Sequence, residues 1–276
     1  MSDRETSRVD TVFAGSVPAV YEQYLVPLIF QPYADDIARR VAALRPSQVL
    51  EIAAGTGVVT RAMASTLLAD VSIVATDLNQ AMLDHASARG TSRPVEWRQA
   101  DAMHLPFDDE AFDAVVCQFG AMFFPDKGSA FAETRRVLRP GGVFLFNAWD
   151  RIEENEVPHI VTMALEPVFP DDPPRFMARV PHGYHDRDVI ARDLAAGGFD
   201  LPPRIDTLAV PSHAASARDA AVAFCQGTPL RNEIEARDPF ALERATDAAT
   251  RALQARFGDG PVDATIRAHV VTVLRR

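Results

Sequence analysis

Short apolar runs alternate with helix-like patterns between residues 47 and 149 of the chain. The candidate strands are QVLEIA (48–53), VSIVAT (71–76), VEWRQA (95–100), FDAVVCQ (112–118) and GVFLFNAW (142–149). Helices are expected to begin near Thr56, Asn79 and Gly128. This alternation is typical of repeated strand–helix units, in which parallel strands lie side by side. The pattern therefore predicts an α/β fold with a mostly parallel, doubly wound sheet.

Two of the predicted helices carry recognisable boundary residues. The segment 77–79 places capping side chains before QAMLDHASA, and Asp126 does the same ahead of AFAETRRVL. The second helix is expected to stop within LRPGG, because Pro140 cannot continue it. Gly141 and Gly142 then permit the backbone conformations that lead into the next strand.

The alternation of strands and helices breaks after Asp150. We assign the remaining segments as a cap insertion (151–185), a return to the core (186–210 and 261–276) with one helix and two strands, and a second, mostly helical insertion (211–260). The two returning strands, at 205–210 and 262–275, bring the predicted sheet to seven strands.

Composition narrows the range of functions. The 276 residues are 47% hydrophobic and 24% charged, which is ordinary for a globular protein. A net charge of −10 disfavours nucleic acid as a partner, because the chain would repel a phosphate backbone. Lys127 is the only lysine, so a P-loop, a Schiff-base lysine or a Tyr-x-x-x-Lys pair cannot occur elsewhere in the chain.

Cysteine usage and the chain start bear on location. Cys117 and Cys225 are too far apart in sequence to indicate a disulfide framework or paired zinc ligands. The start MSDRETSRVD is charged where a signal peptide needs an apolar core, and no run of about 18 apolar residues could span a bilayer. We expect a cytoplasmic protein with no membrane span.

The segment that carries most chemistry is a strand ending at Glu51, followed by Ala53-Ala54-Gly55-Thr56-Gly57 and a helix. Glycines in such a turn let the backbone approach a ligand beyond the carboxyl end of the strand. A Gly-x-Gly turn is weak evidence alone, because a tight strand-to-helix turn without a ligand has the same pattern.

Acidic residues at the ends of the next two strands strengthen this interpretation. Asp77 lies twenty residues after Gly57 and could accept both hydrogen bonds of a ribose diol, or cap the helix that follows. Asp101 follows the third strand and could accept from the exocyclic amine of an adenine. The three strand ends together predict a nucleoside-containing cofactor.

The segments VLEIAAGTG, ATDLN, QADAMHLPFDDEAFDAVVCQ and LRPGG, in this order and at these intervals, resemble the motifs of class I S-adenosylmethionine-dependent methyltransferases. The likeness covers about residues 20–150 and is greatest to the small-molecule branch that includes the ubiquinone and menaquinone biosynthesis enzymes. It implies a Rossmann-like sheet, S-adenosyl-L-methionine as cofactor and S-adenosyl-L-homocysteine as product. It also implies that residues 1–45 form a helical lid ahead of the core that begins at residue 46.

The resemblance assigns cofactor contacts to the residues that match its motifs. The methionine moiety would lie along Ala53, Gly55, Thr56 and Gly57, with Glu51 beneath them, and the sulfonium would lie beside Gln118 and Phe119. The ribose hydroxyls would be bound by Asp77. The adenine ring would contact Leu78 and Met82, and its amine and ring atoms would be bound by Asp101, Ala102 and Met103. The family usually has glycine where this chain has Ala53, and a methyl group is tolerable there if the local φ is negative.

The acceptor is less well specified. Cys117-Gln118-Phe119-Gly120 is not the Asn/Asp-Pro-Pro-Tyr pattern of amide and nucleobase methylation, which favours a small-molecule acceptor. His182 and His185 are candidate general bases, although their segment could equally be a polar loop that caps the next helix. A metal site at His182, His185 and Asp186 is disfavoured because no further ligands are suitably spaced, so no metal is expected.

The lid sequence contributes aromatic residues. Tyr21, Tyr24 and Tyr33 could enclose the transferred methyl group or stack on an aromatic or partly apolar acceptor, and ordinary packing explains each of them equally well. Two other functions stay open: a nicotinamide-dependent oxidoreductase, disfavoured by Thr60 at the third glycine position, and a non-catalytic protein that binds S-adenosylmethionine. The motifs concern the methyl donor and leave the acceptor atom and the oligomeric state undetermined.

Overall fold

The computed structural model describes residues 17–276, so the first sixteen residues of the predicted lid lie outside the described residues. One seven-stranded sheet with the order β3-β2-β1-β4-β5-β7-β6 organises the chain. Its strands are β1 (Gln48–Glu51), β2 (Ser72–Asp77), β3 (Glu96–Gln99), β4 (Phe112–Gln118), β5 (Leu138–Trp149), β6 (Arg204–Ala214) and β7 (Val262–Leu274). The predicted seven-stranded α/β fold is thereby confirmed.

The strand order creates a crevice at the carboxyl ends of β1 and β4. Strands β1 to β5 pair in parallel, and the chain crosses from the β3 edge back past β1 to begin β4. Such a reversal is where open α/β sheets bind their ligands. Strand β7 is antiparallel to β5, because Arg275 pairs with Gly142 near the start of β5 while Arg267 pairs with Asp150 just beyond its end.

The helices lie between and around these strands. They are α1 (Val17–Val20), a π-helix (Tyr21–Phe30), α2 (Gln31–Leu44), α3 (Val58–Thr66), α4 (Gln80–Arg89), α5 (Lys127–Val137), α6 (Glu156–Leu165), α7 (Phe176–Arg179), α8 (Arg187–Ala196), α9 (Ala217–Gln226), α10 (Leu230–Arg237) and α11 (Leu242–Phe257). None of the helices in the described part of the chain is long and apolar enough to cross a membrane.

Most predicted boundaries hold to within a few residues, and two differ by four: the start of β5, and the end of β6, which was predicted at residue 210 and lies at Ala214. The Asp126 carboxylate accepts a hydrogen bond from the Ser129 N–H and caps α5, as predicted. Strand β5 begins at Leu138, whereas the sequence predicted residue 142. The strand starts earlier because Leu138 already pairs with Phe112, through an irregular register that Gly141 accommodates at φ +82°.

The two faces of the sheet pack differently. On one face, Phe144 and Phe146 of β5 lie 5.7 and 5.5 Å from the ring of Phe131 on α5. On the other face, the register aligns Val116 with Glu51 and Gln118 with Asn147, so these polar side chains alternate with the aromatic ones. The first face packs mainly aromatic and aliphatic side chains, and the second holds buried acidic and amide groups.

By contacts, the chain divides into two compact units. The sheet unit comprises Gln31–Ala148, Tyr184–Leu208 and Ala268–Arg276, and the helical unit comprises 17–30, Trp149–Gly183 and Ala209–Arg267 among the described residues. Helix α2, which the predicted domain boundaries assign to the lid, belongs to the sheet unit.

The helical unit has its own close packing and ion pairs. Helix α9 meets the N-terminal segment at Gly227, where a Cβ atom would lie 3.1 Å from a Leu25 methyl and 3.2 Å from a Val20 methyl. On α9, Arg218 pairs with both Glu243 and Asp247 of α11. These contacts join the segments 17–30 and 209–267 into one body.

Candidate functional site

The loop after β1 uses its glycines for two different physical reasons. Gly57 has φ +81°, and a Cβ atom there would lie 2.9 Å from Cη2 of Trp97 and 3.1 Å from Cβ of Ala86. Gly55 has φ +56°, yet a Cβ at this position would meet no atom within 4 Å. Gly57 is therefore required by conformation and by space, whereas Gly55 leaves backbone accessible where a side chain would otherwise project.

Ala53 departs from the expectation that its φ would be negative. Its φ is +55°, a left-handed conformation that costs a residue with a Cβ atom about 1 kcal/mol. A Cβ atom added to Gly120 would lie 2.4 Å from the Ala53 methyl and 2.8 Å from Sγ of Cys117. The methyl group is thus accommodated by the absence of a side chain at Gly120, and not by a relaxed backbone.

Glu51 lies beneath this loop as a buried acid. Only 1% of the residue is exposed, and its carboxyl accepts a 2.5 Å hydrogen bond from the hydroxyl of Thr60 on α3. Burial raises the pKa of Glu51 to about 8, the Thr60 hydrogen bond opposes that rise, and the nearby Asp77 adds to it. Glu51 therefore holds a proton near neutral pH.

Asp77 connects the end of β2 to the glycine loop. One carboxylate oxygen accepts from the Gly55 N–H at 2.8 Å and the other from the Asn79 N–H at 2.8 Å. Burial raises the pKa of Asp77, and these backbone hydrogen bonds oppose the rise. Each carboxylate oxygen has a second lone pair. The group can thus shape the loop, start α4 and still accept hydrogen bonds from a diol.

The residues predicted to contact adenine follow β2 and β3. Leu78 is 52% exposed while Met82 is buried, and the Gln99 side chain fixes the Leu78 carbonyl with a 2.8 Å hydrogen bond. Asp101 accepts from the Met103 N–H at 2.9 Å and keeps 40% of its side chain exposed. The sheet thus brings an accessible leucine and an accessible carboxylate to adjacent strand ends.

The end of β4 completes the edge of the crevice. Phe119 has φ +53°, donates its N–H to the Asn147 carbonyl at 3.3 Å and packs edge-on against Tyr33 with ring centroids 5.3 Å apart. Gln118 precedes it and is buried. Cys117 is fully buried, and burial raises the pKa of its thiol to about 12, in keeping with a packed strand residue and not a nucleophile.

Lys127 anchors the loop that runs from β4 to α5. Its ammonium donates to the Phe124 carbonyl at 3.1 Å and lies 4.8 Å from the centroid of the Tyr184 ring. Burial lowers the pKa of Lys127, while Asp193 and Asp126 favour its charged form. The single lysine of the chain thus fixes the residues that follow Gln118 and Phe119.

The three predicted lid tyrosines have different surroundings. Tyr33 is fully buried in the sheet unit, and its hydroxyl donates to the Leu208 carbonyl at 2.9 Å. These contacts favour a packing role for Tyr33. Tyr21 stacks on Phe30 with centroids 4.8 Å apart, and Tyr24 is half-buried, both within the helical unit.

The structure assigns the two candidate bases to different units, His182 to the helical unit and His185 to the sheet unit. His182 is buried, with Nδ1 2.7 Å from the Asp150 carbonyl. A carbonyl only accepts hydrogen bonds, so the proton of neutral His182 resides on Nδ1 and Nε2 is the basic atom. Asp186 caps α8, as the alternative reading of this segment predicted. No metal-binding group of three His, Cys, Asp or Glu residues exists among residues 17–276.

The sequence analysis did not predict that three further residues shape the loop. Thr60 binds Glu51, Trp97 limits the space at Gly57, and Gly120 receives the Ala53 methyl. Thr60 interrupts the Gly-x-Gly-x-x-Gly pattern, and a hydroxyl one helical turn after the loop could have indicated a partner for Glu51. Trp97 and Gly120 meet the loop only through the sheet, and nothing in their local sequence indicates it.

Comparison with known proteins identifies the part of the chain that carries this loop. The family profile described as a methyltransferase domain matches residues 50–146. The ubiquinone/menaquinone biosynthesis C-methyltransferase UbiE of Idiomarina loihiensis is 41% identical over 102 residues, which are 36% of this chain and 41% of that protein. The chain spans between 41% and 52% of the length of the curated relatives it matches.

Solved structures share the fold at low sequence identity. The phosphoethanolamine N-methyltransferase 2 of Haemonchus contortus, in complex with S-adenosylhomocysteine, has a TM-score of 0.62 at 15% identity, covering 100% of this chain and 61% of that one. The [4+2]-cyclase SpnF has a TM-score of 0.54 at 21% identity, covering 89% of this chain and 82% of that one. Residues 50–146 thus match the profile of a methyltransferase domain, in keeping with the resemblance of the motifs.

Proposed function

We propose that the chain transfers the methyl group of S-adenosylmethionine to a small-molecule acceptor by direct in-line displacement. The observation that carries this proposal is the connection between the glycine loop and Asp77, whose carboxylate binds the Gly55 N–H at 2.8 Å. It joins the carboxyl ends of β1 and β2 at the crevice where the strand order reverses.

The residues of the crevice suit the different parts of this cofactor. Asp77 would accept from the ribose hydroxyls, Leu78 would contact the adenine ring and Asp101 would accept from its amine. The hydroxyl oxygen of Thr56 is buried without a hydrogen-bond partner among the described residues, which is consistent with a polar ligand at this loop. The backbone of Gly55 would lie along the methionine moiety.

S-adenosylmethionine supplies an electrophilic methyl group on a sulfonium, so the chain has mainly to align the acceptor and exclude water. Gln118 and Phe119, held by Lys127 and the Asn147 carbonyl, would shape the wall of the crevice on the β4 side. The base that we propose for an acceptor with an ionisable proton is one of the two candidate histidines, His182 or His185.

The acceptor that we propose is a small aromatic or partly apolar molecule. The curated relatives include ubiquinone/menaquinone biosynthesis and demethylmenaquinone methyltransferases, which supports an acceptor of the quinone or quinol type. The net charge of −10 disfavours nucleic acid in this role. Hydroquinones are therefore the first acceptors to assay.

Calorimetry tests the cofactor assignment. S-adenosylmethionine and S-adenosylhomocysteine should bind the full chain while NAD and NADP do not, and binding of a nicotinamide cofactor alone would contradict the proposal. Asp77→Ala should weaken binding of both by about 1 to 3 kcal/mol, the range for losing a charge-assisted hydrogen-bond acceptor. Glu96→Gln, an exposed carboxylate on β3, is the control that should leave affinity unchanged.

A second function deserves a direct test, because the [4+2]-cyclase SpnF has a similar fold. The same fold can therefore support reactions other than methyl transfer. Incubation with radiolabelled S-adenosylmethionine and a panel of hydroquinones, catechols and amines should transfer label to an acceptor. If the chain binds S-adenosylmethionine tightly but transfers label to no acceptor of the panel, the result would favour a binding protein without catalytic activity or an enzyme for another reaction.

A further inference from the structure

Two acidic side chains are buried together at the foot of the glycine loop. Glu51 and Asp77 are 1% and 7% exposed, and they end two strands that pair directly. The charged form of Glu51 is supported by the Thr60 hydroxyl and by the guanidinium of Arg61, which also donates to the Thr56 carbonyl at 2.6 Å. Two carboxylates thus share this buried region with one nearby arginine.

The charged groups that act on Glu51 come from two elements, Asp77 from β2 and Arg61 from α3, and the charge of Glu51 is also felt by the thiol of Cys117 on β4. The thiol of Cys117 stays neutral, so it supplies no compensating charge. Burial, the principal cause, and the negative Asp77 raise the pKa of Glu51 to about 8. Around pH 7 the region therefore holds a proton that a positively charged ligand would displace.

We propose that Glu51 selects the positively charged methyl donor over its neutral product, by releasing its proton to solvent when S-adenosylmethionine binds. The inference rests on the proposed function. S-adenosylmethionine carries a sulfonium and an ammonium against one carboxylate, a net charge of +1, whereas S-adenosylhomocysteine has lost the sulfonium charge. The ionised Glu51 attracts the donor more strongly than the product.

Binding of the donor is coupled to the ionisation of Glu51. The Glu51 O–H bond breaks, the proton passes to the buffer and the electron pair stays on the carboxylate. After methyl transfer the sulfur is neutral, so the ionised carboxylate loses its attraction for the ligand and takes a proton again. Product release is thereby favoured over release of unreacted donor.

Calorimetric titration of the full chain at pH 7, in two buffers with different ionisation enthalpies, measures the protons released. S-adenosylmethionine should release a clear fraction of one proton per site, and S-adenosylhomocysteine should release less. Affinity for the donor should rise with pH from 6 to 8, by up to about tenfold per pH unit. Equal proton release for both ligands would overturn the proposal.

Glu51→Gln separates a charge effect from a structural one, because glutamine can still accept from Thr60. The variant should melt cooperatively and bind both ligands. It should release no more protons with the donor than with the product, and the ratio of its affinities for donor and product should be about tenfold lower than in the wild type. Glu96→Gln is the matched control and should retain the wild-type ratio. An unchanged ratio in Glu51→Gln would refute the inference, whereas failure of the wild-type chain to bind either ligand would refute the proposed function instead.

Discussion

The loop after β1 and the loop after β4 begin on adjacent strands, and each holds a residue other than glycine at positive φ, Ala53 at +55° and Phe119 at +53°. They differ in how glycine is used. In the first loop Gly57 needs its left-handed conformation, whereas in the second loop Gly120 has an ordinary φ of −97° and lacks only space for a side chain.

The two loops also differ in what holds them. Asp77 fixes the first through the Gly55 N–H, and Lys127 fixes the second through the Phe124 carbonyl. A buried titratable group lies before each loop, Glu51 with a pKa of about 8 and Cys117 with a pKa of about 12. The first loop therefore responds to charge and backbone conformation, and the second to packing.

The largest expected effect is a dependence of stability on pH that originates below the first loop. Folded Glu51 keeps its proton up to about pH 8, whereas an unfolded glutamate loses it near its ordinary value of 4.5. The folded chain therefore binds more protons in this window, and the free energy of unfolding falls as pH rises, by about 2 to 4 kcal/mol in total.

Urea denaturation of the wild type and Glu51→Gln at pH 5 and pH 8 measures this effect. Most of the fall should disappear in the variant. Cys117→Ala should leave the pH dependence in place, because the thiol stays protonated in both states over this range. A pH dependence that persists in Glu51→Gln would show that another group carries it.

Gly57→Ala should be the most damaging substitution in either loop. It forces a Cβ atom into a left-handed conformation and against the Trp97 ring, at a combined cost of about 2 to 3 kcal/mol. Thermal denaturation with and without S-adenosylhomocysteine checks both stability and binding. Gly141→Ala, with φ +82° and no neighbouring atom within 4 Å, is the control that has a positive φ without the steric contact.

Gly120→Ala tests whether the second loop is limited by space alone. The new methyl group would overlap that of Ala53, so we expect a loss of about 1 to 3 kcal/mol in the free energy of unfolding. In the double variant with Ala53→Gly, part of that loss should be recovered, because the overlapping methyl group is gone. Strictly additive effects in the double-mutant cycle would mean that the two loops do not interact here.

Ala53→Gly alone should give the smallest effect, with the opposite sign. Glycine adopts the left-handed conformation without penalty, which should stabilise the folded state by about 0.5 to 1 kcal/mol. The greater conformational freedom of glycine in the unfolded chain offsets part of this gain. Chemical denaturation at constant pH measures the balance. A clear loss of stability would show that the methyl packing against Gly120 outweighs the backbone strain.

The sheet could be predicted because its signals are local. Alternating apolar runs and the capping Asp126 each act within a few residues. The helix ends at Val137, before Pro140, and the start of β5 was misplaced because Leu138 pairs with the distant Phe112. The conformation of Ala53 was not predictable, since the space for its methyl group comes from Gly120 in the loop after β4.

The site was predictable to a similar extent. Asp77 ends a recognisable strand, so its place beside the glycine loop followed from the parallel order of strands. Tyr33, in contrast, belongs to an amphipathic helix, and only its buried contacts with Phe119 and the Leu208 carbonyl show that it packs in the sheet unit. Packing roles such as this depend on residues far apart in sequence.

The contact between Ala53 and Gly120 has a consequence for how this domain can diverge. A methyl group at position 53 is compatible with glycine at position 120, whereas a Cβ atom at both positions is excluded, and a Cβ atom at 120 would in addition require the Cys117 side chain to shift. A relative with alanine at position 53 must therefore keep glycine at position 120. An alignment of relatives should show the two positions changing together, which would mark a branch of the family by a pair of residues.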